Sequence, residues 1–129
     1  MPNPPKISAA EWEVLNTLWD RGSATAPEIY DSLALQTGWH QKTVNTFLTR
    51  LAGKGILTVR KEGKSNRYAP RFSREQCVRR ESESFLQRVF RGASAPLLAH
   101  FCEQADLSDA EIADLQKILQ QRSRKGRKS

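Results

Sequence analysis

Three observations predict a mainly α fold with one small β-hairpin. Ser/Thr-x-x-Glu/Gln boxes at Ser8–Glu11, Thr25–Glu28, Ser73–Gln76 and Ser108–Glu111 mark four helix starts. Apolar residues recur at three- and four-residue spacing behind them. A single alternating, β-branched run lies between residues 56 and 69. The chain has 129 residues, 38% of them hydrophobic, which is the length of one domain and material for a modest core.

The Pro-rich residues 1–6 read as a loose arm. Ser8–Glu11 then opens a helix over about 9–20, with Ile7 and Trp12 in the staple positions. Ala10, Val14, Leu15, Leu18 and Trp19 form its inner face, and Arg21-Gly22 ends it. Ser23-Ala24 is long enough for one small strand. Thr25–Glu28, with Pro27 in the first turn, opens a second helix over about 26–36, which Thr37-Gly38 ends.

A third helix starts near Gln41 and stops at Gly53 and Gly55. Val44, Phe47, Leu48 and Leu51 share one narrow stripe at 100° per residue. Lys42, Thr46, Thr49 and Gly53 lie opposite, flanked by Thr43, Asn45 and Arg50. Strands at 56–60 and 66–69 flank a basic turn at 61–64. The chain changes character after Phe72: a helix from Ser73 to Arg91-Gly92, a short one after Ser94 and a last one after Ser108. The expected organisation is 7–71, 72–120 and a basic, disordered tail, 121–129.

Charge is segregated along this frame. Residues 38–71 hold eight Lys/Arg against Glu62 alone, a net +7 equal to that of the whole chain. Residues 1–37 carry −3, residues 72–120 carry −2 and the tail carries +5. A window of one sign reads as the footprint of an anionic partner. It has no bulky apolar helix face free for lipid, so nucleic acid is the expected partner.

Three helices followed by a hairpin is the order of a winged helix-turn-helix. The third helix would enter the major groove, and residues 38–54 contain no carboxylate to oppose phosphate. Gln41, Lys42, Thr43, Asn45, Thr46, Thr49 and Arg50 are the expected DNA contacts on it. Lys61, Lys64 and Arg67 of the wing suit the backbone or minor groove. Arg60 and Lys54 have bland alternatives: a solvent-facing strand residue, and a cation complementing a helix C-terminus.

The C-terminal helices amount to half a core. Phe85, Leu86, Val89, Leu97, Leu98, Phe101, Ile112, Leu115 and Leu119 are the expected dimerisation residues. The alternative is packing back on the N-terminal domain. A dimer would present two recognition helices to a palindromic operator.

The residues also carry a family likeness. Residues 7–19, ISAAEWEVLNTLW, resemble the opening of the BlaI/MecI penicillinase-repressor family. So do Gly38–Leu51, GWHQKTVNTFLTRL, and Lys54-Gly55-Ile56-Leu57, with Lys61–Lys64, Tyr68 and Asp106-Leu107-Ser108 in keeping. The resemblance implies a dimeric repressor that occludes a promoter, with Lys42, Thr43, Thr46 and Arg50 among the contacts. In drug-responsive members a membrane sensor triggers a protease that cuts an Asn-Phe bond. The matching, cleavage-equivalent position is His100-Phe101, with His in place of Asn. Copper-responsive members carry a CxC motif, which Cys77 and Cys102 do not form.

Other classes fit less well. His40 and His100 lie in different segments, and neither a Ser/His/Asp arrangement, metal-ligand spacing nor a Gly-rich phosphate loop is present, so no enzyme, metal or cofactor is expected. No stretch approaches the roughly 20 apolar residues of a membrane span, and the opening lacks a signal-peptide core, which predicts a cytoplasmic protein without direct membrane insertion. The rivals are a ligand-sensing MarR-type regulator and a nonspecific architectural or protein-interaction module.

Overall fold

The computed structural model describes residues 3–127. In order it contains α1 (Ala9–Arg21), β1 (Ala24–Thr25), α2 (Ala26–Thr37), α3 (Gln41–Gly53), β2 (Leu57–Glu62), β3 (Ser65–Pro70), α4 (Arg74–Phe90), α5 (Ser94–Gln104) and α6 (Asp109–Arg127). Two compact units part between Phe85 and Leu86.

All four capping boxes form. In α1, the Ser8 hydroxyl accepts from the Glu11 amide at 3.2 Å while the Glu11 carboxylate accepts from the Ser8 amide at 2.8 Å. Thr25/Glu28, Ser73/Gln76 and Ser108/Glu111 repeat this reciprocal pair. Each box satisfies two amides that a helix start otherwise leaves open. At the end of α2, Gly38 takes the left-handed conformation (φ 71°) and its N–H donates to the Ala34 carbonyl at 2.9 Å. That turn sets α3 off in a new direction, and a side chain at such a φ is strained.

The sheet is antiparallel in the order β1-β3-β2. Ala24 of β1 pairs with Tyr68 of β3, and Val59 of β2 pairs with the same residue on the other side. The hairpin is longer than the sequence predicts. Lys61 is a strand residue opposite Asn66, not part of the turn, and the ladder closes at Glu62–Ser65. The reason is the two-residue turn Gly63-Lys64, with Gly63 at φ 62° in the first central position. Such a turn follows the right-handed twist of the strands and lets pairing continue to its edge.

The core of the N-terminal unit draws on every early element. Val14, Leu15 and Leu18 of α1, Ile29 and Leu33 of α2, and Val44, Leu48 and Leu51 of α3 are buried with Ile7, Ala24, Ile56 and Leu57. Cys77 of α4 joins them at 1% exposure. The first turns of α4 therefore belong with the N-terminal unit, although sequence character changes at Phe72. Trp19 Nε1 donates to the Phe72 carbonyl at 3.0 Å, which pins the end of the wing to α1.

The opening segment is no loose arm. Pro4 is buried, its carbonyl accepts from Arg80 Nε at 3.4 Å, and the Lys6 carbonyl accepts from Lys54 Nζ at 3.0 Å. Residues 1 and 2 lie outside the described residues. The basic segment expected to be disordered from 121 is helical through Arg127, because α6 continues without a break beyond its apolar stripe. Residues 128 and 129 also lie outside the described residues.

Lys54 and Glu11 form the polar centre of this unit. The ammonium donates to Glu11 Oε1 at 2.7 Å, and the Glu11 side chain is 1% exposed. Burial pushes the Glu11 carboxyl up, but the hydrogen bonds from Lys54 and Ser8 outweigh it and hold the group below its ordinary value. A depressed folded-state value means that the stability contributed by Glu11 is complete above about pH 4.5 and is lost as pH falls through the depressed value. Lys54→Met is expected to cost about 2–3 kcal/mol, read by urea unfolding, because it strands a buried carboxylate. In Glu11→Gln the acid-side loss of stability is expected to flatten, read by unfolding midpoints between pH 3 and 7; an unchanged acid limb would assign it to other carboxylates.

Candidate nucleic-acid interface

The interface is built on α3 and the hairpin. The apolar stripe of α3 anchors the helix, since Val44, Leu48 and Leu51 are fully buried. Phe47 is half-buried against Trp39, with ring centroids 5.0 Å apart, and the Arg50 guanidinium lies 5.9 Å from the Phe47 ring. Spacing placed Phe47 in the core stripe, but it is a shelf at the core's edge that supports Arg50.

Lys42, Asn45, Thr46, Thr49 and Arg50 are exposed on α3, and Gln41 and Thr43 are half-exposed beside them. The fold thus brings the expected α3 residues onto one accessible side. Several are oriented internally. Gln41 Nε2 donates to Asn45 Oδ1 at 3.1 Å, and the Thr46 and Thr49 hydroxyls donate to the carbonyls of Lys42 and Asn45 at 3.0 and 2.9 Å. Their hydroxyl oxygens keep acceptor capacity, and their methyl groups stay available for a thymine edge.

The N-terminus of α3 differs from those of its neighbours. His40 occupies the cap position without a side-chain hydrogen bond, and the first turn contains no acid. The capping boxes of α1, α2, α4 and α6 all close their first turns, whereas here no side chain caps the turn and the Thr43 amide donates to the His40 carbonyl at 3.0 Å. A helix start without a side-chain cap, at the positive end of the helix dipole, favours a phosphate. His40, as expected from its place just before the helix, sits at that entrance.

The wing residues divide. Lys61 and Lys64 are exposed, with Lys64 in the turn itself. Arg67 is committed elsewhere: its guanidinium bonds the Glu62 carboxylate, donates to Ser23 Oγ at 3.2 Å and lies 3.7 Å from Glu28. The hydrogen bond to Glu62 holds the Arg67 pKa above its ordinary value, and the same bond holds Glu62 below its own. Arg67 thereby clamps the hairpin to the start of α2, and its charge is already compensated. Arg60 is exposed directly across from Arg67 in the ladder. The sequence does not disclose this clamp, because Glu28 and Arg67 are far apart in the chain.

Elsewhere, no helix among the described residues is long and apolar enough to cross a membrane. His100 and Phe101 lie inside α5, their rings 5.6 Å apart.

The family model described as penicillinase repressor matches residues 7–121. The chain is similar to the penicillinase repressor of Bacillus licheniformis, 35% identical over 117 residues that cover 91% of each chain. It is equally similar to the methicillin resistance regulatory protein MecI of Staphylococcus aureus strain N315, 35% identical over 114 residues, 88% of this chain and 93% of that one. Among solved structures, the DNA-binding domain of the repressor BlaI superposes with a TM-score of 0.53 at 36% identity, covering 59% of this chain and 93% of that one. The monomeric form of the Bacillus licheniformis BlaI in complex with the blaP half-operator gives 0.52 at the same identity and coverage.

The division within the wing has a measurable consequence. Arg67→Ala is expected to lower the unfolding midpoint, whereas Lys64→Ala leaves it close to that of the native chain. Thermal unfolding of both variants reads the difference, and equal midpoints would show that the clamp contributes nothing.

Proposed function

Because the chain belongs to the penicillinase repressor family, we propose that it is a dimeric, sequence-specific transcriptional repressor that occupies a palindromic operator. The observation that carries the reading is the α3 face: polar, free of carboxylates, anchored by a buried stripe and without a side-chain cap at its N-terminus. Lys42 and Arg50 reach base edges or phosphate, Asn45 pairs with adenine, and Gln41, Thr43, Thr46 and Thr49 complete the contacts. Lys61 and Lys64 meet the neighbouring backbone and fix register. Arg67 supports the wing from behind.

The C-terminal unit supports the dimer. Phe85 at the boundary, and Leu86 and Leu97 beyond it, are half-buried, while Val89, Leu98, Phe101, Ile112, Leu115 and Leu119 are exposed. No described residue beyond Cys77 is fully buried. A groove of about 400 Å³ between α5 and α6, lined by Cys102, Leu107, Ile112, Leu115 and Leu119, presents much of that apolar surface. A second copy supplies the missing half of the core, since such faces are costly to leave in water. A sensor or protease acting at His100–Phe101 would meet a helical bond, which must unwind before it is cut.

Selection of bound duplexes from a random pool at physiological salt tests this reading. An enriched palindrome with two half-sites supports it; salt-sensitive retention without enrichment would make the chain a nonspecific module. Lys42→Ala or Arg50→Ala is expected to cost about 1–3 kcal/mol of operator binding and to relax specificity. Lys64→Ala is expected to weaken all sequences alike, so identical profiles for the three variants would overturn the division between reading and positioning. Leu115→Glu is expected to yield a monomer by sedimentation, with binding reduced to that of a single half-site.

A further inference from the structure

Beyond Leu119 the chemistry of α6 changes abruptly. Arg122, Arg124 and Lys125 follow within the helix, all exposed, and the sequence continues with Arg127 and Lys128. The last acidic side chain in the sequence is Asp114, so none of these cations has an Asp or Glu within four residues. They stand just past the region shared with the family, which ends at residue 121.

Helical geometry decides what this segment can do. At 100° per residue Arg122 continues the line of Leu115, Ile118 and Leu119, Arg124 falls on the opposite face and Lys125 on the flank. An apolar seam therefore stops at Leu119, and charge surrounds the helix beyond it. A helix C-terminus welcomes cations in its last turn. Arg122 and Lys125, however, are like charges three residues apart and repel. No residue of the segment offers a bulky apolar side chain beside the cations, as insertion into a lipid surface requires. The ligand that suits cations on several sides of one rod, without any one geometry, is a flexible or extended chain of phosphates.

We infer that the cationic end of α6 is a second, sequence-independent contact to the phosphate backbone of nucleic acid, separate from the α3 face. It rests on the DNA-binding reading above and adds affinity without altering base preference. Each cation that meets a phosphate releases counterion, steepening the dependence of log K on log salt by about 0.9. For the three described cations the slope changes by about 2.7 per protomer, which is an effect of about 40-fold on affinity between 50 and 200 mM salt.

The experiment compares the full-length chain with the triple variant Arg122→Gln, Arg124→Gln, Lys125→Gln on a 40-base-pair mixed-sequence duplex. A salt slope shallower by about 2–3 per protomer is expected in the variant. The variant Arg122→Lys, Arg124→Lys is expected to keep the native slope, because only charge is required. Parallel salt lines for native chain and triple variant would overturn the inference. So would loss of binding to phosphatidylserine vesicles in the triple variant with an unchanged DNA slope, which would assign the surface to membranes. Preference for the selected duplex over the mixed one is measured alongside. That ratio is expected to be the same in both chains. If the native chain shows no preference, the repressor reading fails while the slope still judges the α6 contact.

Discussion

One buried carboxylate holds the DNA-binding unit in register. Glu11 closes the first turn of α1 through its bond to the Ser8 amide, and the same oxygen receives Lys54 from the end of α3. Lys54 reaches on to the Lys6 carbonyl. A single ion pair thus joins the N-terminal segment, the start of α1 and the end of α3. It is conditional on all three being in place. A lone carboxylate at 1% exposure is strongly disfavoured, so displacing α3 would cost the unit far more than the contact itself contributes. Glu11 Oε2 has no hydrogen-bond partner among the described residues, which raises that dependence on Oε1.

The positive window between residues 38 and 71 is therefore two populations of cations. Lys54 and Arg67 are spent inward, on Glu11 and on Glu62 and Glu28, and they keep α3 and the wing in place. Lys42, Lys61 and Lys64 face outward on the same scaffold. Arg50 stands between these classes, exposed yet leaning toward the Phe47 ring. The inward cations place the helix rigidly, and the outward ones leave charge over for a ligand.

The two units solve the problem of a small core differently. The first closes on itself, with α1, α2, α3 and the sheet contributing fully buried residues and Cys77 completing the set. Burial raises the pKa of that thiol. In the second unit α5 and α6 stand with their apolar stripes open, Phe101 at 51% and Leu119 at 57% exposure. Apolar faces of this kind are costly to leave in water.

Local chemistry made the element order legible in the sequence. Capping boxes need only residues three apart, and the stripe of α3 needs only a helical period, so the helix starts and the polar face of α3 follow from neighbours in the chain. The single-sign charge window, too, is a property of the sequence alone. What depended on contacts between distant residues was not legible. The Glu11–Lys54 pair spans 43 residues and the Arg67–Ser23 bond 44, and neither spacing carries any periodic signal. Length of the hairpin was likewise decided by the conformation at Gly63, and the fate of residues 3–6 by the carbonyl acceptors they offer to Lys54 and Arg80. The sequence by itself determined which residues carry charge and which helix faces are apolar, because those are local patterns. Only the tertiary structure decided which charges are consumed in holding the fold and which remain for a ligand, because pairing requires proximity in space.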